Sequence, residues 1–510
     1  MQAVLGIDLG TTGVKAALFA TADGHVLADA FVEYPLLHPH PGWAEQNPAD
    51  WWAATIAALR ICLEQGAMHN VSPTDVRGIG LSGQMHGVVL LDGEQKVLRP
   101  CIIWADQRSD AQATWMTERI GASKLIEYVS NPALTGFSAP KLLWIRDNEP
   151  EVFARATTLL LPKDYIRYRL TGVLAMEISD AAGTCLLDVK RGVWSQEVVQ
   201  ALELNPALLP PIVAADAMSG SITDEVAAQT GLVAGIPVAG GGADNACGAV
   251  GNGVVAPGLA LVSIGTSGVV LAHAQTPQVD LSGPVPRVHT FNHAVPHAWY
   301  LMGVTQGAGL SLRWVRDNIG LPERALERWT GEDAYEILAK EAANAAPGSD
   351  GLLFLPYLQG ERTPHLDAHA RGGWIGLTAR HDRSHLIRSV FEGVAFSLKD
   401  CFTILQEQGL SIEQVRATGG GAKSAFWRQI IADVLDVELV TTNATEGPAF
   451  GAALLAGVAS GVYPSVKAAC EQTVRVVEHT HPRSQQRRVY DGAYETYKAL
   501  YPALKPIISK

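Results

Sequence analysis

Gly6-Ile7-Asp8-Leu9-Gly10-Thr11-Thr12-Gly13-Val14 opens the chain, and Leu261-Val262-Ser263-Ile264-Gly265-Thr266-Ser267-Gly268-Val269 repeats its pattern about half a chain later. In each run an apolar stretch enters a G-T-[ST]-G turn and a second apolar stretch leaves it. Such runs read as two antiparallel strands joined by a tight turn, so Ala3 to Ile7 and Val14 to Phe19 are expected to be strands. A strand-turn-strand unit opening each half predicts two domains of one architecture facing each other across a cleft. The boundary is expected in the Gly-rich run Gly248-Ala249-Val250-Gly251-Asn252-Gly253-Val254-Val255-Ala256-Pro257, giving domains 1–247 and 248–510.

The segments around the first turn agree with an α/β class. Asn47-Pro48 reads as a helix cap with proline in the first turn. Trp52, Ile56, Leu59 and Leu63 then recur at helical spacing, so one face of that helix is expected to be buried. Val76 to Leu81 and Gly87 to Leu91 read as further strands. Mixed strands and helices continue along all 510 residues, a length that suits two large domains.

Composition limits the function classes. Hydrophobic residues make up 47% and charged residues 18%, an ordinary globular balance with enough apolar material for deep cores. The net charge of -12 argues against nucleic acid as a partner. The start of the chain has no basic region, and Asp8 interrupts its apolar run, so it is not read as a signal peptide. No apolar run approaches the length of a membrane span. The six cysteines lack C-x-x-C spacing and are expected to be reduced thiols in a cytoplasmic protein.

The two turns carry chemistry as well as fold. Gly10, Gly13, Gly265 and Gly268 let backbone N–H groups face an anion, and the hydroxyls of Thr11, Thr12, Thr266 and Ser267 add donors. Two matching turns in two halves suit a polyphosphate gripped from both sides. The halves differ where Asp8 stands against Ser263. A carboxylate beside a phosphate cradle implies a cation, so Asp8 is a candidate to hold Mg²⁺ directly or through water, its alternative being to cap its own turn.

Gly240-Gly241-Gly242-Ala243-Asp244-Asn245 follows the apolar run Ile236–Ala239. The triple glycine is expected to set Asp244 on an exposed turn, where it takes the proton of an attacking hydroxyl or caps a helix starting at Asn245. Asp244 is also expected near the Mg²⁺. A third cluster, Thr418-Gly419-Gly420-Gly421-Ala422-Lys423-Ser424, lies between a strand-like and a helix-like segment. Gly420, Gly421, Ala422 and Ser424 are expected to approach the adenosine of ATP. His289, His293 and His297 have the spacing of helical zinc ligands. Pro296 and the strand-favouring Val288, Thr290 and Phe291 set that reading aside.

Over nearly its whole length the chain resembles the FGGY carbohydrate kinases. Gly136-Phe137-Ser138-Ala139-Pro140-Lys141-Leu142-Leu143-Trp144-Ile145 is similar to one family signature. Gly372-Gly373-Trp374-Ile375-Gly376-Leu377, with His385-Leu386 and Ser389-Val390-Phe391-Glu392, is similar to the other. The resemblance implies two actin-like (ribonuclease H-like) domains, Mg-ATP and a sugar in the cleft, and Asp244 as general base. Ser82-Gly83-Gln84-Met85-His86-Gly87, Trp104-Ala105-Asp106-Gln107-Arg108, Leu161-Pro162-Lys163-Asp164-Tyr165 and Ser179–Thr184 are similar to members that phosphorylate D-xylulose at its 5-hydroxyl. By that resemblance Gln84, Met85, His86, Trp104, Asp106 and Asn245 bind the sugar. Kinases for another ketose or an alditol, and a non-kinase ATPase of the actin or Hsp70 kind, are the alternatives. The sequence does not read the assembly state; a homodimer is the form to test.

Overall fold

β1 (Ala3–Leu9) is buried along nearly all its length, as a strand at the centre of a sheet must be. In the computed structural model, which describes residues 1–283 and 285–508, it pairs antiparallel with β2 (Gly13–Ala20), and β2 pairs with β3 (Val26–Glu33). On its other side β1 runs parallel to Val76–Gly83, followed by Pro237–Ala239 and Met218–Ser221. The short strand Gly242–Ala243 also pairs parallel with Val76–Gly83. The helix expected after Asn47 is α1 (Pro48–Met68), with the Asn47 side chain accepting from the Ala49 N–H at 3.1 Å. Of the residues expected on its buried face, Trp52, Leu59 and Leu63 are buried and Ile56 is half-buried; Trp51 is buried with them.

The second sheet repeats the plan. Gly258–Ile264 pairs antiparallel with Gly268–Ala274, which pairs with Trp299–Thr305. Ile412–Thr418 and Glu438–Thr442 then extend it in parallel from Gly258–Ile264. In both sheets a three-strand meander is continued on its first strand by two parallel strands, so the sequence repeat is a repeat of topology. His289–Asn292 is an edge strand of the second sheet.

One helix crosses between the halves. Gly447–Ala459 belongs by sequence to the second half but lies on the first sheet. It fits because Gly6 and Gly80 are register partners on adjacent strands. A Cβ at Gly6 would sit 1.9 Å from the Ala449 carbonyl oxygen, and one at Gly80 would sit 1.9 Å from that of Ala452. The same helix crosses Asp244–Gly251 at equally close range, where a Cβ on Gly451 would lie 1.9 Å from the Cys247 carbonyl oxygen. The two helices therefore touch backbone to backbone beside the cleft. The proposed boundary between residues 247 and 248 falls inside the helix Asp244–Gly251. A division at the loop after this helix would leave both sheets whole. All six cysteines are buried free thiols, and among the described residues no helix is long and apolar enough to cross a membrane.

Candidate active site

Three parallel strands bring distant residues together at their carboxyl ends. Asp8 on β1 is in register with Ser82, and Ser82 with Gly242. The segments that leave these strands carry the first G-T-T-G turn, Gln84-Met85-His86, and Asp244. This is where open α/β sheets place ligands.

Asp8 has a buried Oδ1 with no hydrogen-bond partner. Burial raises its pKa, while the Ser82 hydroxyl and the Lys15 ammonium oppose the rise. An orphaned carboxylate oxygen beside a phosphate-type turn fits a magnesium ligand. Asp244 corrects two expectations. It is half-buried rather than on an exposed turn. It is the first residue of its helix, with Ala243 at the cap position. Its carboxylate accepts from the Asn245 N–H at 2.7 Å and from Asn245 Nδ2 at 2.9 Å. Burial and then the charge of Asp8 push its pKa up to about 7, a value suited to a base working near neutrality.

The turn before Asp244 is anchored from below. Gly241 has φ +78°, and a Cβ there would lie 2.1 Å from the Leu81 carbonyl oxygen, so only glycine fits. Ser179 Oγ accepts from the Ala243 N–H at 3.0 Å and donates to Glu177 at 2.7 Å. The fully buried Lys163 donates to Asp164 at 2.9 Å and to the Gly240 carbonyl at 3.4 Å, and lies 3.5 Å from Asp180 and 3.7 Å from Glu177.

A cavity of about 250 Å³ adjoins Asp244. Met85, His86, Trp104 and Asn245 line it, and Ser267, Met302 and Arg362 line it from the second half. His86 is held in an unusual backbone conformation, φ +72°. Its carbonyl accepts from Ser138 Oγ at 3.1 Å and Lys141 Nζ at 3.3 Å. Both donors belong to the first signature, which thus supports the cavity rather than lining it throughout. His86 Nδ1 lies 2.7 Å from the Gly183 carbonyl. A ring N–H donated there leaves Nε2 as an acceptor for a hydroxyl. Burial, reinforced by Lys141, holds the His86 pKa well below its usual value, so the ring is neutral. A Cβ at Gly183 would lie 2.7 Å from Nδ1. Gly183→Ala is therefore expected to raise the sugar KM about tenfold or more, with the nucleotide KM unchanged, because it moves His86 and not the second half. Steady-state titration of each substrate checks this.

Two of the expected sugar ligands lie behind this wall. Gln84 is 1% exposed and does not line the cavity. It donates to Gln46 at 2.7 Å, and Gln46 donates to the Thr11 carbonyl at 2.6 Å. Thr11 Oγ1 in turn accepts from the Trp104 indole at 3.0 Å, so this chain ties the first turn to the cavity wall. Asp106 is fully buried. Its carboxylate is occupied by Arg108, at 2.7–3.0 Å, and by the Ala44 N–H at 2.6 Å. It shapes the segment that presents Trp104 instead of reaching the cavity.

A larger cavity of about 650 Å³ lies in the second half. Gly265, Thr266, Gly420, Gly421 and Ser424 line it as expected for a nucleotide, together with Arg313, Lys423, Tyr335 and Trp427. Ala422 does not. It is packed in the core, 5% exposed. Gly268 is likewise a packing residue, since a Cβ would meet Thr305 at 2.7 Å. Gly10, Thr11, Thr12 and Gly13 lie outside this cavity, on the first sheet. There the Tyr34 hydroxyl donates to the carbonyls of Gly10 and Gly13. Arg313 and Tyr335 had no local signal in the sequence. Lys423 did, inside the third glycine cluster. The second turn spans both cavities: Gly265 and Thr266 face the larger one and Ser267 the smaller.

A two-sheet cleft in which a phosphate-type turn joins a nucleotide-sized cavity to a small one lined by both apolar and polar residues is the arrangement of a phosphotransferase. The chain matches the N-terminal domain of the FGGY family of carbohydrate kinases over residues 3–251 and its C-terminal domain over residues 260–460. The protein belongs to the FGGY family of carbohydrate kinases, and its fold is the actin-like pair of domains expected from the sequence. It is 41% identical to the xylulose kinase of Bacillus subtilis (strain 168) over 99% of this chain and 98% of that one. It is 39% identical to the xylulose kinase of Escherichia coli (strain K12), over 99% and 100%. The crystal structure of xylulose kinase from Rhodospirillum rubrum superposes with a TM-score of 0.89 at 31% identity, over the whole of both chains.

Proposed function

We propose that this enzyme transfers the γ-phosphate of Mg-ATP to the 5-hydroxyl of D-xylulose, yielding D-xylulose 5-phosphate and ADP. The observation that carries this reading is the second turn, which faces the nucleotide cavity through Gly265 and Thr266 and the sugar cavity through Ser267. Phosphate passed from one cavity to the other must cross it. The xylulose kinases among its relatives support the choice of sugar.

Asp244, in the small cavity, accepts the proton of the attacking hydroxyl as its oxygen bonds to phosphorus and the bond to the ADP oxygen breaks. His86 accepts from a sugar hydroxyl through Nε2, and Asn245 adds an amide. Trp104 offers an indole face to the C–H surface of the sugar. Both glycine turns bind phosphates through backbone N–H groups, and Gly420 and Gly421 let the adenosine approach closely. Asp8, with Asp244, would hold Mg²⁺ directly or through water. The ion, when bound, neutralises charge on the phosphates. The buried free cysteines fit the reducing cytoplasm.

A panel of free ketoses and polyols with Mg-ATP tests the substrate. D-xylulose is expected to give the highest kcat/KM. A tenfold preference for ribulose, gluconate or glycerol overturns the assignment.

A further inference from the structure

The small cavity contains a cation that the mechanism above leaves unused. Arg362 lines it from the second half, and a Cβ at Gly136, on the opposite wall, would lie 4.0 Å from its Nη2. Among the described residues its guanidinium makes no hydrogen bond and no ion pair. Arg362 is half-buried, and the Glu361 carboxylate acts on it through space, so its N–H groups are open to an acceptor brought into the cavity.

The fold holds it there deliberately. Glu361 accepts from Thr305 Oγ1 at 2.7 Å, from the Gln306 N–H at 2.9 Å and from the Arg362 N–H at 2.7 Å. The Thr363 N–H donates to the Val304 carbonyl at 2.9 Å, and Thr363 Oγ1 accepts from the Val304 N–H at 3.1 Å. Both neighbours are thus pinned to the end of strand Trp299–Thr305, and the side chain between them is left facing the cleft.

Arg362 also has a definite end of the cavity. Gly136, beside its guanidinium, adjoins Phe137, whose ring lies 4.7 Å from that of His86 and 5.5 Å from that of His289, centroid to centroid, whereas the Asp244 carboxylate is held at Asn245 on the helix of the first half. If the hydroxyl to be phosphorylated sits at Asp244, the opposite end of the sugar lies toward Arg362. For a 2-ketose attacked at its far hydroxyl, that end carries the carbonyl.

We infer that Arg362 recognises the carbonyl end of the substrate and so makes the site selective for ketoses over alditols of the same length; the inference rests on the kinase reading above. The chemical reason is that guanidinium only donates. A ketone oxygen accepts two N–H groups and has no hydrogen to place. A hydroxyl in the same position brings a hydrogen for which Arg362 offers no acceptor, and a site built for one pattern rejects the other.

The test compares ketose and alditol pairs, D-xylulose with xylitol and D-ribulose with ribitol, in the wild type, Arg362→Met and Arg362→Lys. Arg362→Met is expected to lower kcat/KM for the ketose by about 10- to 100-fold, the scale of a lost charge-assisted hydrogen bond. The alditol value should change about threefold or less, so the ratio within a pair collapses while the KM for ATP stays put. Arg362→Lys should fall between, and it keeps the test open should the Met variant fold poorly. Equal losses on both members of a pair, or no loss on either, overturn the inference. If D-xylulose proves a poor substrate, the assignment of sugar fails separately, and the ratio for the pair the enzyme does use still decides Arg362. An enzyme that turns over alditols alone overturns it as well.

Discussion

Asp244→Asn is expected to lower kcat about a hundredfold or more, the usual scale for losing a general base, with little change in the KM for ATP. Asparagine keeps the shape and the hydrogen bond to the Asn245 N–H but cannot accept the proton. Asp8→Asn should behave differently. It weakens the place where the orphaned Oδ1 would hold magnesium, so raising Mg²⁺ should recover part of its activity, whereas Asp244→Asn should not be rescued, because added Mg²⁺ can restore ion binding but not the lost proton acceptor. Near-normal kcat in Asp244→Asn would remove that residue from the mechanism. Rescue of Asp244→Asn and not of Asp8→Asn would mean that the two roles are exchanged.

The pKa of Asp244 adds a pH signature. With no metal bound, burial and Asp8 place it at about 7, so with Asp244 as the proposed base kcat/KM is expected to fall as pH drops through that value. Bound Mg²⁺ should move this limb of the kcat/KM profile to lower pH. The stability effect has the opposite sense. Between the ordinary carboxylate range and about 7 the native state holds a proton that the unfolded state has released, so this group costs stability as pH rises through that window. Asp244→Asn should therefore raise the Tm of the ligand-free protein at pH 8 even as it lowers kcat. An unchanged or lower Tm would show that the carboxylate is not strained in its site.

The second large effect is expected from Lys163→Met. Lys163 is fully buried among Asp164, Glu177 and Asp180, and Arg167, 3.2 Å from Asp164, is the other cation of the cluster. Removing one partner of a buried ion cluster costs about 3–5 kcal/mol, because the remaining charges stay desolvated. Denaturant unfolding should show a loss of this size. Adding Asp180→Asn should recover part of it, since neither Asp180 oxygen has a hydrogen-bond partner to lose. The catalytic turn should suffer too, through the lost contact with the Gly240 carbonyl. A loss below about 1 kcal/mol would place the cluster's stabilisation elsewhere.

The local vocabulary of the site was legible because each word depends on few residues. A G-T-[ST]-G turn between apolar runs, a triple glycine before an aspartate and a Gln-Met-His-Gly run are all contiguous. Met85, His86, Trp104, Asp244 and Asn245 do surround one cavity. Asp106 shows where such reading stops. Nothing local reveals that Arg108, stacked 3.7 Å over Trp43, would take its carboxylate, or that Gln84 would spend its amide on Gln46. Arg362 was missed for the same reason. Its importance lies in which wall it faces, and that is set by Glu361 and Thr363 gripping a strand about sixty residues earlier in the chain.

The sequence by itself determined the α/β class, the duplicated strand-turn-strand units, the two phosphate-type turns and the family. These follow from periodicity, glycine placement and contiguous motifs, which are properties of short segments. Only the tertiary structure decided that Gly6 and Gly80 make room for a helix from the other half, that Asp244 is half-buried beside Asp8, and that one turn serves two cavities. Those outcomes depend on parallel strands and crossing helices that bring together residues hundreds of positions apart. Burial, electrostatics and hydrogen-bond partners are settled by those neighbours and not by the adjacent residues of the chain.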